Sequence, residues 1–267
     1  MIANLHIQTI LRGRVTCLGK AFFTPPFKVA NITEDKKAAT LQLMLMSSSP
    51  GILDEDRYHL KIELAANTSL QLHTQSYQRL FDMKLGAEQH TELHLQPGAS
   101  FCFLPHPSVP HANARFMATN NIYLSHGCRL LWGEIITCGR KLNGEIFHFS
   151  KYHSLTSIFI ENRLAIRENM LIVPDAVDIT GMGLWEGFTH QASLIYMDEN
   201  TTVEESTQLI NTYLSRQPGI AYGITAAPVR GLVVRLLGYK AEQLFDCLKT
   251  MAAILSPVSS SPFAYAH

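Results

Sequence analysis

The chain has 267 residues, with 22 Lys plus Arg balanced by 22 Asp plus Glu, and only 16% of its residues are charged. Zero net charge leaves no electrostatic footprint for nucleic acid or an anionic membrane surface, and no run of about 18 apolar residues exists to cross a bilayer as a helix. A charged fraction well under the roughly 25% of ordinary soluble domains points to a surface that partners cover, or to a large core.

The N-terminal stretch MIANLHIQTILRGR has no basic region ahead of its apolar residues, so it is not read as a signal peptide. Short alternating segments begin near residue 40. In YHLKIEL (58–64), Leu60, Ile62 and Leu64 fall on one face and His59, Lys61 and Glu63 on the other. LQLHT (70–74), TELHL (91–95), FCFL (101–104), NIYLS (121–125), EIFHF (145–149), SIFIE (157–161), MLIV (170–173) and ASLIYM (192–197) read as strands in the same way. Pro50-Gly51, Asn67, Pro97-Gly98, Asn120-Asn121 and Asn143-Gly144 mark turns between them. Many short strands with no helical period between them predict an antiparallel β architecture, stacked or closed on itself.

The pattern changes near 200. Thr202 and Glu205 form a capping-box signature that opens a helix over about 203–215, ending before Pro218-Gly219. Val203, Leu209, Ile210, Tyr213 and Leu214 are its expected inner face. A second helix is expected over 241–255, with Leu244, Phe245, Leu248, Met251 and Leu255 as its apolar stripe. Residues 218–228 read as a loop, and the Ser/Pro-rich 256–267 as a disordered tail. The whole is therefore a single domain over 1–255.

Few chemical motifs stand out. There is no nucleophile elbow, no phosphate-binding glycine loop and no zinc-finger spacing. Cys17, Cys102, Cys128, Cys138 and Cys247 are odd in number and widely spaced, which reads as reduced, mostly buried thiols in a cytosolic protein. His90 and His94 share a strand face with Glu92, a polar stripe better read as solvent-facing than as a metal site. His106 and His111 flank a proline-rich turn. A metal-dependent β-fold enzyme would need a His-x-His pair, and none occurs. Asp54, Glu55 and Asp56 read as a solvated loop with Arg57 as counter-ion. In the strand 130–138, Leu130, Trp132, Glu134, Ile136 and Cys138 share one face. A carboxylate there is a strand-edge accident, half of a pair with Arg129 or Arg140, or part of a wet internal site.

Taken together, these landmarks resemble the UreD/UreH family of urease accessory proteins, closest to the UreH-like branch. The resemblance rests on FFTPPFK (22–28), SPG (49–51) followed by Asp56-Arg57, TQS (74–76), PHPSVPHANARF (105–116), GEIITCGR (133–140), GEIFHF (144–149), WEGFTH (185–190) and RGLVVRLLG (230–238). They run in order over roughly 20–255. One departure is that Asp54 and Glu55 stand where family members carry glycines before the acid. The resemblance implies a mainly β fold, with a large stacked-sheet or β-superhelical body and two helices near the C-terminus. It implies no enzyme but a cytoplasmic scaffold and metallochaperone. Such a protein binds UreF, recruits the GTPase UreG to apo-urease, and passes nickel through an internal polar tunnel. No tightly bound cofactor is implied, only nickel in transit. By the same resemblance, Glu134 and Asp56 line that path, with Thr74, Gln75 and Ser76 as companions. Carboxylates and hydroxyls hold nickel weakly enough to release it, whereas imidazole and thiolate would trap it. Phe22, Phe23 and Phe27 around Pro25-Pro26 make a hydrophobic knob or a strand plug. They and Tyr222, in the 218–228 loop, are candidate partner contacts. A scaffold that conducts no metal is the alternative reading.

Overall fold

The computed structural model describes residues 1–256, so the tail expectation from 257 onward lies outside the described residues. In chain order the elements are β1 (Ile2–Arg12), β2 (Val15–Phe23), β3 (Phe27–Asn31), β4 (Thr40–Ser47), β5 (Arg57–Leu64), β6 (Ser69–Thr74), β7 (Gln78–Leu80), β8 (Ala87–Leu95) and β9 (Ser100–Phe103). They continue with β10 (Ser108–Pro110), β11 (Arg115–Leu124), β12 (Arg129–Thr137), β13 (Lys151–Ile160), β14 (Arg163–Ile172), β15 (His190–Asp198), α1 (Val203–Leu214), β16 (Ala221–Ala226), β17 (Gly231–Gly238) and α2 (Ala241–Leu255).

Among the described residues the strands form two stacked sheets. A seven-stranded sheet runs β14-β13-β11-β8-β5-β1-β2, and a ten-stranded sheet runs β16-β17-β15-β12-β9-β6-β4-β3 with β7 and β10 beside it. The mainly β, stacked-sheet expectation is met. The antiparallel expectation fails at the centre: β1, β5, β8, β11 and β13 pair in parallel, as do β4, β6, β9 and β12. Through the centre of the chain the strands alternate between the sheets, so the parallel neighbours are not chain neighbours; β1–β2, β3–β4, β13–β14 and β16–β17 pair as antiparallel chain neighbours. The body is a coil. Alternating hydrophobicity fixes which face of a strand is buried, but it carries no information on the direction of the neighbouring strand.

Four local readings are also corrected. Asn120-Asn121 lies inside β11, with Asn120 buried. Residues 145–149 form no strand; Phe147 takes a φ of 56°, left-handed backbone that a strand cannot contain. The 218–228 loop contains β16, paired antiparallel to β17. Strands also occupy the first 40 residues, where β1 buries Ala3, Leu5 and Ile7.

The two helices stand where their periodicity put them. Thr202 is the N-cap of α1, though its hydroxyl makes no capping hydrogen bond. α1 buries Ile210 and Leu214 but leaves Leu209 exposed. α2 packs Leu244, Leu248, Met251 and Leu255 onto the outer face of the ten-stranded sheet. A Cβ on Gly133 would lie 2.7 Å from Leu104 and 3.1 Å from Leu248, so the glycine lets this helix approach the sheet closely.

Candidate functional site

Strand β12 is central and feeds two interiors. Its odd positions, Leu131 and Ile135, face α2. Its even positions, Leu130, Trp132 and Ile136, join the core between the sheets, and Glu134 shares that face. Neither arginine meets it: Arg129 pairs with Asp198 and Arg140 with Glu145. Instead the Tyr152 hydroxyl donates to Glu134 Oε1 at 2.6 Å and the Ser154 hydroxyl to Oε2 at 3.0 Å. Burial raises the Glu134 pKa above the usual carboxylate range. The two hydrogen bonds pull it back, and nearby Glu168 adds to the rise. Tyr152 in turn is pushed well above an ordinary phenol, by burial first and then by Glu134.

Glu134 opens onto a cavity of about 160 Å³ between the two sheets, room for several waters. The seven-stranded sheet contributes Tyr58, Gln89, Phe116, Asn120 and Tyr152; the other contributes Thr74, Gln78, Ser108 and Trp132. Gln75 and Ser76 also line it and are exposed, so the cavity has its mouth at the end of β6. Thr74 is fixed there by His106, whose backbone N–H donates to Thr74 Oγ1 at 2.8 Å while Nδ1 sits 2.9 Å from the same oxygen. Further in, Ser108 donates to Gln78 Oε1 at 3.0 Å and Gln78 donates to Gln89 Oε1 at 3.1 Å. The polar groups on the wall are thus mainly hydroxyl, amide and carboxylate, set among a larger number of aromatic and aliphatic side chains. His106 is the imidazole on it, and burial lowers its pKa. Among the described residues no three His, Cys, Asp or Glu side chains gather closely enough to hold a metal ion.

Four of the five expected path residues, Thr74, Gln75, Ser76 and Glu134, therefore meet in one place. Asp56 does not. It is 2% exposed and locked in its own loop. Oδ1 accepts from the Met1 ammonium at 2.9 Å, and Oδ2 accepts from the Leu53 N–H at 2.9 Å and from Tyr58 Oη at 3.2 Å. The solvated-loop reading is overturned for Asp56: Arg57 is exposed, and the Met1 ammonium, the Leu53 N–H and the Tyr58 hydroxyl are the partners of Asp56 instead. Asp56 does not line the cavity; it holds Tyr58, which does, and the Leu53 N–H at the end of the lining turn 49–52. The departure at Asp54-Glu55 also resolves. Glu55 has φ 64°, the left-handed conformation for which glycine is the natural residue. Asp54 accepts the Gly86 and Leu85 N–H groups, which lower its pKa. The loop keeps a glycine-like shape without glycine.

The partner candidates divide. Phe22 and Phe23 are exposed on β2, an edge strand of its sheet. Phe27 is buried, edge-on to Tyr58 at 5.0 Å, and lines the cavity. Tyr222 is half-buried and donates to Asn211 of α1 at 2.9 Å. The His90–Glu92–His94 stripe lies on the outer face, where Glu92 holds His94 at 2.6 Å. All five cysteines are free thiols. Sequence reasoning missed Gln78, Gln89, Asn120 and Tyr152, because nothing in one sequence joins residues carried by different sheets.

Residues 1–264 match the sequence profile of the UreD urease accessory protein. The chain belongs to the UreD family. It is 42% identical to the urease accessory protein UreD of Flavobacterium johnsoniae over 250 residues, 93% of this chain and 90% of that one. It is 32% identical to the UreD of Acetivibrio thermocellus, covering 95% of this chain and 97% of that one. It is also 32% identical to the urease accessory protein UreH of Helicobacter hepaticus, covering 94% and 96%. UreD-family members are accessory proteins, not catalysts. No helix among the described residues is long and apolar enough to cross a membrane.

Proposed function

We propose that this urease accessory protein is a scaffold that binds UreF, brings the GTPase UreG to apo-urease, and carries nickel between them through the cavity between its sheets. The observation that supports the reading is the meeting of Thr74, Gln75, Ser76 and Glu134 around one cavity. Nickel would enter at Gln75 and Ser76, shed part of its hydration against hydroxyl and amide oxygens, and reach the Glu134 carboxylate. Oxygen donors hold nickel less tightly than imidazole or thiolate, so the ion is not trapped on the way. Burial works against ionisation of Glu134, and a bound cation would offset that effect. Asp56 shapes the wall by holding Tyr58 and the 49–53 turn. Phe22 and Phe23, exposed on an edge strand, are the partner contacts that the structure leaves available, and the cytoplasm is where such an assembly would work.

The test has two parts. A tagged chain recovered from its own cells should bring with it a UreF-like protein, a small GTPase and urease subunits. Recovery of the chain alone would remove the scaffold reading. Glu134→Leu should then leave that assembly intact while lowering the nickel content of urease. Unchanged nickel content would remove the conducting role. Much of the cavity wall is aromatic and aliphatic, which favours the second reading: a scaffold alone, with the metal travelling elsewhere.

A further inference from the structure

A conduit needs two ends; the exposed lining residues Gln75 and Ser76 lie at the end of β6, and Glu134 lines the same cavity from β12. The strand registers show what lies beside the lining residues Glu134 and Asn120. Across the ten-stranded sheet, Glu134 stands opposite Ser193, and Ser193 opposite Arg235. Across the facing sheet, Thr91, Asn120, Thr156 and Glu168 occupy one transverse row. All seven lie on inner faces, because residues opposite one another in a sheet share a face and their strand neighbours at two residues' distance belong to the inter-sheet core. Thr91, Asn120, Thr156 and Ser193 are buried. Asn120 donates to Thr156 Oγ1 at 3.0 Å, and Ser154 already touches Glu134.

Buried polar groups weaken a core unless something requires them. Structural polar pairs in this protein are local, as where Thr9 meets Thr68 at 2.7 Å. Here two rows run by strand register from the cavity-lining Glu134 and Asn120 to β17 and to β14, the edge strand of the seven-stranded sheet. There Arg235 of β17 meets Glu168 of β14, and a single guanidinium nitrogen lies 2.7 Å from both carboxylate oxygens. That is not the parallel two-nitrogen fork in which arginine binds carboxylate best. It is the position a small cation takes when one carboxylate chelates it. Arg235 is half exposed, with 51% of its side-chain surface open, and such pairs hold weakly.

We infer that this polar row is a second, closed way out of the cavity, with Glu168 as its outer station and the Arg235 guanidinium seated there until a divalent metal ion displaces it. The inference rests on the proposed passage of metal through the cavity and adds its exit and its gate. Glu168 does two things in this arrangement. It attracts the ion onward from Glu134, and it exchanges one cation for another, so its carboxylate keeps a cationic partner throughout. No bond is made or broken; Arg235 swings into solvent as the ion leaves.

The experiment is nickel loading of urease in cells that express the urease subunits, the other accessory proteins and this chain, at limiting nickel. The readouts are nickel per urease, its rate of gain, and the melting temperature of the purified accessory complex. Glu168→Gln should slow loading. Arg235→Gln should speed it by up to about fivefold, the factor corresponding to the upper worth of an exposed ion pair. Arg235→Lys, which restores the charge, should return loading towards the wild-type rate. A purely structural clamp gives the opposite pattern: both neutral variants slow loading together, in step with a lower melting temperature. That pattern, or no change in either variant, overturns the gate. Glu134→Leu run alongside separates the two proposals. If it lowers loading while the Glu168 and Arg235 variants behave alike, the gate is wrong and the cavity reading stands. If it has no effect, the passage itself is wrong.

Discussion

Strand β12 separates two interiors built on different terms. On one side α2 buries Leu244, Cys247, Leu248, Met251, Ala252 and Leu255, with no charged or amide side chain among its buried residues. On the other side the same strand turns Trp132 and Ile136 into a layer that also holds Glu134, Asn120, Thr91, Thr156 and Ser193. The first interior is built for cohesion. The second spends stability on polarity, and it is the one with a void. In a family of accessory proteins, the interior that departs from plain packing is the better guide to function.

The largest break in that contrast is expected from Leu248→Ala. Leu248 is fully buried against the ten-stranded sheet, and truncation there costs about 2–5 kcal/mol. Chemical denaturation should show the loss, and the chain that remains folded should load nickel normally.

Asp56→Ala comes next. It leaves the Leu53 N–H and the Tyr58 hydroxyl without their acceptor, at a cost of about 1–3 kcal/mol. Denaturation should report it. Any loss of nickel delivery should follow the loss of fold, because Asp56 does not reach the cavity.

The third is a matter of sign. Burial raises the Glu134 pKa in the folded chain above its ordinary 4.5. As pH rises through 4.5 the unfolded chain therefore releases this proton first, so stability falls from there up to the folded value. Glu63, on the solvent face, is opposite. Hydrogen bonds from Gln8 first, then His6 and Lys61, lower it to about 2. Its contribution is present above 4.5 and disappears as pH falls towards 2. Melting curves across pH should separate the two: Glu134→Gln removes the decline on the higher side, and Glu63→Gln removes the acid-side loss. The same sign from both would contradict the burial of Glu134.

The smallest effect is Glu55→Gly. It relieves a left-handed residue at φ 64° but loosens the unfolded chain, so stability should change by no more than about 1 kcal/mol. A larger loss would mean that the Glu55 side chain holds the loop.

The sequence made strand faces legible and strand partners illegible. Leu60, Ile62 and Leu64, or Leu130, Trp132 and Ile136, announce their buried side by alternation alone. The parallel coil does not announce itself, since Ile62, Leu93, Ile122 and Ile158 are sheet neighbours separated by about a coil's length of chain each time. The helices were legible because their 3.6-residue stripe needs no long-range partner. Asn120 was misread because an asparagine pair looks the same in a turn and in a buried hydrogen bond. Segment 145–149 was misread because its alternation is interrupted by one backbone angle, at Phe147. As for the site, Glu134 drew notice as a carboxylate on an apolar face. Its convergence with Thr74, Gln75 and Ser76 came from family resemblance, and the cavity came only from stacking the sheets.

The coil also sets where this protein tolerates changes in length. β5, β8, β11 and β13 lie in strict parallel register without a bulge between them. One residue inserted within β13 would turn Ser154 and Thr156 outward and bring their neighbours in, severing the Glu134 contact and the Asn120 contact together. A two-residue insertion would preserve the faces yet move the hydroxyls along the strand by nearly 7 Å, again past their partners. The turns at Asn67, Gly98 and Gly144, all left-handed, are where an extra residue would leave every row aligned. Natural length variation should therefore collect at these corners, and a deletion scan would find the strands between them intolerant of loss.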